Sequence, residues 1–402
     1  VSALGEQRVA LAAWSAVAEP ADVEAGALVR ALGASAALEW VRAGCGDLSA
    51  AASALHGRCD KATAVGAAKA HERWARRLEF ADQPLMERAA RIGARVVIAT
   101  DPEWPAAFRD LGDAAPFAVW VRGDGDLGAL WRRSIAIVGS RSSTSYGEHM
   151  TAEIAGGVGD AGWTVVSGGA YGVDGVAHRA ALVSDHPTVA IMAGGVDRLY
   201  PVGHEQLLGQ VMESGCVLSE VPPGFAPHRS RFLSRNRLIA TATATVVVEA
   251  AWRSGALSTA NHAAELARPV GAVPGPATSP SSTGCHRLIR EGQAVLVTSA
   301  ADVVELAAPV GEALALFGVG GARQPVAAGE VAPPEFARPE HRAVYDALSS
   351  RAAAVDVVAK RAGLDAAATR GALAALDMAD LAVHNDAGWR KKPAKLSAEK
   401  GI

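Results

Sequence analysis

The run Ser134-Ile135-Ala136-Ile137-Val138-Gly139-Ser140-Arg141 decides the reading of the fold. An apolar, largely β-branched stretch that stops on a glycine, with a helix starting near Tyr146-Gly147, is the pattern of a buried parallel strand feeding a βα turn. Free backbone N–H groups and the positive end of the helix dipole converge at such a turn, which makes it an anion site. Arg141 adds a forked donor for phosphate oxygens. Taken alone, the turn reads equally well as a tight connection carrying an exposed arginine, because the full G-x-G-x-x-G spacing is absent.

Working outward, the same alternation of short β-branched runs and amphipathic helices extends from Ser134 to about Glu305. It predicts strands near Ile135–Val138, Thr164–Val166, Thr188–Ile191, Cys216–Leu218, Thr245–Val248, Val270–Val273 and Val295–Val297. That is an α/β, Rossmann-like parallel sheet covered on both faces. Before it, Val96-Val97-Ile98 and the run Phe117 to Val121 preface the sheet, and residues 1–80 read as alanine- and leucine-rich helices broken at Gly33, Gly44 to Gly46 and Gly57. After it, a Gly-, Pro- and Ala-rich linker leads to three helical stretches, Pro339–Leu348, Val355–Ala362 and Asp365–Leu376, with a β-wing over Leu381–Trp389: a C-terminal winged helix. Lys391, Lys392, Lys395 and Lys400 close the sequence as a solvated basic tail.

Composition narrows the class of partner. In 402 residues the formal net charge is −3, so a nucleic-acid site has to be local rather than a uniformly basic surface. Cys45, Cys59, Cys216 and Cys285 form no C-x-x-C pair, which suggests neither a zinc site nor a disulfide framework. No apolar stretch reaches the ~20 uncharged residues that a bilayer needs, and the N-terminal residues lack the pattern of an export signal. The expectation is a cytoplasmic protein with no membrane contact.

Two further stretches carry chemistry. Ser167-Gly168-Gly169-Ala170-Tyr171-Gly172-Val173-Asp174 follows the second strand of the alternating region, where dense glycines let backbone approach a ligand. Asp174 there is expected to cap the next helix, and His178 to be structural. The second stretch runs from Pro222 to Ala240. Arg229, Arg231, Arg235 and Arg237 sit in it with Phe232 among them, and no acid occurs between Glu220 and Glu249. Guanidinium groups with an interleaved aromatic suit the phosphates and bases of a single strand. Glu249 has the type of a general base, but no nucleophile or second acid is spaced with it, so a loop-orienting carboxylate is favoured.

Taken in order, Ile137 to Arg141, Ser167 to Asp174 with His178-Arg179, Gly194-Gly195-Val196-Asp197-Arg198-Leu199-Tyr200-Pro201, Leu218-Ser219-Glu220 with Pro222-Pro223-Gly224, and Arg235-Asn236-Arg237-Leu238-Ile239-Ala240 resemble the DNA processing protein A (DprA/Smf) family. Val248-Glu249-Ala250 with Ser254-Gly255, Val273-Pro274-Gly275, and Gly284 with Leu288-Ile289 continue the series over about residues 95 to 305. Residue patterns and resemblance together divide the chain into a helical domain at 1–80 (SAM/HhH-like), an extended Rossmann-like DNA-binding domain at 81–310, a linker at 311–334, a winged helix at 335–390 and a basic tail at 391–402. The resemblance implies a cytoplasmic homodimer that binds single-stranded DNA, protects it and loads RecA in transformation or related recombination, with single-strand-binding protein as a further partner and with no catalysis, cofactor or metal. DNA contact is carried onto Arg141, Arg231, Arg235 and Arg237 with Asn236, and the Gly139-Ser140 and Ser167-Gly168-Gly169 backbones would line the pocket. Two positions depart from the family pattern. Tyr171 stands where many relatives have a basic residue, which points to base stacking, and Cys285-His286 occupies the stretch where an asparagine usually follows the late glycine.

The enzyme alternative is a nucleoside monophosphate phosphoribohydrolase-like activity using Glu249, but the Pro-Gly-Gly-x-Gly-Thr-x-x-Glu loop of those enzymes is not matched. A dinucleotide oxidoreductase would need a G-x-G-x-x-G turn with a ribose-binding acid ~20 residues on, and the first loop lacks those spacings.

Overall fold

The computed structural model describes residues 3–44, 48–308, 339–349, 352–378, 381–385 and 388–392. The chain divides into two compact units, residues 1–318 and 319–402. The predicted linker 311–334 and the part of the tail from residue 393 lie outside the described residues.

The first unit opens with helices α1 (Ala3–Val17), α2 (Val23–Leu32), α3 (Ala34–Ala43), α4 (Leu48–Ser53), α5 (Lys61–Ala75), α6 (Leu78–Ala81) and α7 (Leu85–Arg91). Gly33, at φ 82°, separates α2 from α3 in a conformation that a side chain would strain. The helices run past residue 80, and their core is continuous with one face of the sheet. Trp14, Leu28 and Trp74 share one apolar cluster with Trp120, Ala190, Met192 and Val217 of the sheet. The Trp120 indole N–H donates to Ser15 Oγ at 3.1 Å across that contact.

The sheet has nine strands: β1 (Arg95–Val97), β2 (Val119–Arg122), β3 (Ser134–Val138), β4 (Thr164–Ser167), β5 (Thr188–Met192), β6 (Cys216–Ser219), β7 (Ala244–Val247), β8 (Val270–Ala272) and β9 (Val295–Leu296). Their order is β1-β2-β6-β5-β4-β3-β7-β8-β9. From β6 to β9 every pairing is parallel, with Ile135 opposite Val165 and Ile137 opposite Val246. The sheet is mixed rather than wholly parallel, because the preface residues add β1 and β2 antiparallel at one edge. Helices α8 (Leu127–Arg132), α9 (Ser145–Asp160), α10 (Val173–Val183), α11 (Glu205–Ser214), α12 (Arg229–Ile239), α13 (Gly255–Glu265), α14 (Thr283–Arg290) and α15 (Ala300–Ala307) complete the unit.

Burial on both faces explains the β-branched strands. Ile135 and Ile137 pack with Ile154 and Val158 of α9 and Val303 of α15. Ala136 and Val138, pointing the other way, pack with Leu238 of α12 and Ala256 of α13. Strands β4 to β6 extend to one side of β3 and β7 to β9 to the other. The chain order therefore reverses between β3 and β7, and the crevice beyond their carboxyl ends is where such sheets bind ligands.

The second unit holds α16 (Pro339–Ala347), α17 (Val355–Ala362), α18 (Ala366–Met378) and the hairpin β10 (Ala382–Asn385) and β11 (Gly388–Lys391), the expected winged helix. Val344, Val358, Leu373 and Leu376 form its core. Lys391, read as the start of the tail, belongs to β11, and its ammonium lies 3.9 Å from the Tyr345 ring centroid.

Candidate nucleic-acid interface

A cleft of about 820 Å³ opens at the reversal point, lined by the loops after β3 and β7 and by one side of α12. The β3 loop gives Gly139, Ser140 and Arg141, α12 gives Arg229, Phe232, Arg235 and Asn236, and the β7 loop gives Arg253 and Ser254.

Glu249 fixes the first loop. It is 2 % exposed and accepts from Thr144 N at 2.9 Å and Thr144 Oγ1 at 2.6 Å, while Thr144 Oγ1 in turn caps α9 by accepting from Gly147 N. Ser281 Oγ donates to the same carboxylate at 3.3 Å. A Cβ on Gly147 would stand 2.2 Å from Glu249 Oε2, so the carboxylate occupies the space a side chain would need. Glu249 is thus the loop-orienting group favoured from sequence, with its oxygens engaged rather than facing a substrate.

The second glycine loop is organised from inside. Asp174 does not cap α10, whose N-cap is Gly172. Its buried carboxylate accepts from Gly168 N at 3.1 Å and Ala170 N at 3.3 Å, because the loop turns its N–H groups inward. Burial pushes the Asp174 carboxyl up, against the pull of Arg235. Ser167 Oγ donates to Ile137 O at 2.6 Å and the residue is fully buried, and Gly169 O accepts from His204 Nδ1 at 3.0 Å. Of the expected Ser167-Gly168-Gly169 lining, only Gly168 reaches the surface site, in a narrow extension of the cleft that it shares with Arg141, Tyr171, Tyr200 and Phe232. His178 is structural, as expected. Its Nδ1 lies 2.8 Å from Thr188 Oγ1, and burial drives its pKa down to about 3.

The arginines divide by face. Arg141, Arg229 and Arg253 are exposed, and none has an ion-pair partner among the described residues. The Arg141 guanidinium stacks 5.3 Å from the Phe232 ring centroid. Arg235 forms the floor. It is 6 % exposed, Nη1 donates to Ile191 O at 2.7 Å, and Nε has no partner. Burial lowers its pKa to about 10, with Asp174 opposing and Arg141 adding to the shift. A guanidinium has five N–H donors, so most of this one's capacity is unspent. Asn236 joins the cleft wall and donates to Gly255 O at 3.4 Å.

Arg231 and Arg237, expected to touch DNA, are turned away from the cleft. Arg231 is held by Glu19 and by Ala226 O. Arg237 makes a two-pronged pair with Glu220 at 2.7 and 2.5 Å and donates to Ala114 O. Both are buried, with their donors committed to the protein. Conversely, Arg229 belongs to the expected arginine run but not to the residues given DNA contact, and Arg253 and Tyr200 were not among the expected site residues. Arg253 had a signal, since it precedes Ser254-Gly255 in a loop at the carboxyl end of a parallel strand. Tyr200 had none of its own; it is 45 % exposed, with its ring 5.6 Å from Phe232.

The sequence pattern of the DNA recombination-mediator protein A family matches residues 95–308, which contain both glycine loops, α12 and the whole cleft. The chain belongs to that family. The pattern of the DprA winged helix domain matches residues 328–388. A Mycobacterium tuberculosis protein described as a putative DNA processing protein DprA is 42 % identical over 393 residues, 94 % of this chain and 93 % of that one. The DNA processing protein DprA of Streptococcus pneumoniae is 39 % identical over 205 residues, 51 % of this chain and 71 % of that one. The X-ray structure of the S. pneumoniae protein superimposes with a TM-score of 0.53 at 30 % identity, covering 69 % of this chain and 92 % of that one.

Both departures from the family pattern have a place in the geometry. Tyr171 is 48 % exposed and its ring meets His204 edge-on at 4.7 Å, beside Tyr200 in the narrow extension. Cys285 is buried, its Sγ 3.6 Å from Val247 O, and His286 Nε2 lies 3.0 Å from Gly275 O, tying α14 to the loop after β8. Among the described residues no cluster of His, Cys, Asp or Glu could hold a metal, and no helix is long and apolar enough to cross a membrane.

Proposed function

We propose that the cleft binds single-stranded DNA, with phosphates on Arg141, Arg229 and Arg253, Arg235 as a buried floor, and bases on the Phe232, Tyr200 and Tyr171 rings. One observation carries the reading: three exposed arginines without acidic partners and one buried arginine with unspent donors surround a single cleft, next to three aromatic side chains. Arginines without carboxylates nearby are free to take phosphates, and aromatic faces stack bases of any identity. Gly139 and Ser140 line the cleft beside Arg141 and bring backbone within reach of the strand.

Membership of the recombination-mediator family supports a role in handing the strand to a RecA-type recombinase, and the same membership supports a cytoplasmic homodimer that acts alongside single-strand-binding protein without catalysing a reaction. Titration of oligothymidylate and of duplex of equal length at one salt concentration tests the DNA reading. Single strands are expected to bind more tightly, with Arg235→Met weakening them. Equal affinity for duplex, or no effect of Arg235→Met in a folded protein, contradicts it. Mixing with RecA on coated single strands tests delivery separately.

A further inference from the structure

The cleft's rim carries an aromatic group that the proposed site does not use. Of the nine tryptophans in the chain, seven are buried, Trp389 is half-buried, and Trp252 is 54 % exposed. Trp252 sits between Ala251 and Arg253, both of which line the cleft, while not lining it itself. An indole costs apolar surface when left in water, and this one is held in place. The Arg287 guanidinium of α14 lies 4.7 Å from its ring centroid.

Arg287 has capacity to spare. Its side chain is 22 % exposed, its Nε is buried without a hydrogen-bond partner, and its nearest carboxylate, Glu291, stands 4.0 Å away. A cation behind an indole fixes the ring's orientation and leaves the remaining exposed surface for another flat group. The neighbouring Arg253 offers a phosphate contact one residue away. An ordered, exposed aromatic beside a phosphate-binding arginine is the arrangement that stacks a nucleobase while its backbone is gripped.

We propose that Trp252 is a base-stacking platform that extends the track of single-stranded nucleic acid beyond the arginine cleft, with the strand passing Arg253 and laying a base on the indole face that Arg287 does not cover. The proposal rests on the cleft being a single-strand site. It assigns Trp252 a ligand class, an unpaired nucleobase of any identity.

The exposed position makes the test direct, because Trp252, as the most exposed of the tryptophans, is expected to dominate the red edge of the emission and to be readable in the full chain. Titration with oligothymidylate of about 20 nucleotides is expected to quench that edge in the parent. In Trp252→Leu the quenching is expected to vanish and affinity to fall about five-fold or more at fixed salt, with the slope of affinity against salt unchanged, since the substitution removes a stack and leaves the phosphate-binding arginines in place. Trp252→Tyr, which keeps an aromatic face, is expected to recover most of the affinity. Trp252→Leu binding as tightly as the parent overturns the proposal, as does Trp252→Tyr binding as weakly as Trp252→Leu. In either case a parent that binds the oligonucleotide leaves the cleft reading standing. A parent that does not bind overturns both.

Discussion

Glu19, in the turn between α1 and α2, accepts hydrogen bonds from Arg231 of α12 at 2.9 and 2.8 Å. Arg77 reaches the same carboxylate, and His228 stands 3.7 Å from it. The N-terminal helices thus grip the helix that presents Arg235 and Phe232 to the cleft. Arg231 spends its donors on Glu19 and Ala226 O, which gives it a positioning role for α12. Arg231→Ala is expected to lower unfolding stability by about 1–3 kcal/mol, read by denaturant melts, because its charge-assisted hydrogen bonds to Glu19 and its bond to Ala226 O are lost while Arg77 still pairs with the carboxylate. Binding per folded molecule is expected to change far less than with Arg141→Ala. A large loss of affinity at unchanged stability would return Arg231 to the contact surface.

The same carboxylate gives a pH dependence. Burial pushes Glu19 up, but Arg231 and Arg77 outweigh it and hold the group below its ordinary 4.5. A carboxyl depressed in the folded state adds stability above its unfolded pKa, and that stability is lost as pH falls through the folded value. The stability gap between the parent and Glu19→Gln should be full near neutral pH and close as pH drops below about 4.5. A gap that is constant from pH 7 to pH 3 contradicts this.

Arg237 and Glu220 are both buried and joined by two hydrogen bonds. Removing one partner leaves the other charged without compensation, so Arg237→Ala is expected to cost about 3–5 kcal/mol of stability in chemical denaturation. A melt indistinguishable from the parent's would show that Glu220 finds another partner.

Gly168 packs against Arg235 so closely that a Cβ there would lie 2.0 Å from Nη1. Gly168→Ala must displace the guanidinium from Ile191 O, and a loss of roughly ten-fold or more in strand affinity is expected from the moved phosphate donor. Gly209→Ala, on α11 with nothing within 4 Å, serves as the control and should bind like the parent. Equal affinity of Gly168→Ala and the control would remove Arg235 from the site.

Burial pushes the Cys216 and Cys285 thiols up to about 12. Since the thiolate is the reactive form, neither should label with a thiol reagent at pH 8 in the native protein, and both should label after denaturation. Native modification of Cys285, mapped by mass spectrometry, would mean that α14 opens.

Most of the sheet was legible because strands buried on both faces leave continuous β-branched runs. β3, β4, β5, β6 and β7 all start within a residue of their predicted positions. The antiparallel edge was not legible, since strand direction for β1 and β2 depends on pairing with β6, which no local pattern encodes. The arginine run of α12 pointed to the candidate cleft but not to which arginines line it. Arginine density shows where a polyanion could bind, whereas Glu19 and Ala114 O, which engage Arg231 and Arg237, come from elements far off in sequence, and Glu220, just before the arginine stretch, is brought onto Arg237 only by the fold. Arg253 was overlooked for the opposite reason, as a single charge in a loop gains meaning only once the reversal point places β7 beside β3.

The most direct measurement of the central claim is the salt dependence of oligothymidylate binding by the parent and by Arg141→Ala/Arg253→Ala. Each phosphate that an arginine neutralises on a single strand contributes ~0.7 to the slope of log affinity against log salt. The double variant should therefore bind more weakly at low salt, with a slope shallower by roughly 1.4. An unchanged slope and affinity would show that the cleft at the β3–β7 reversal is not where the strand binds.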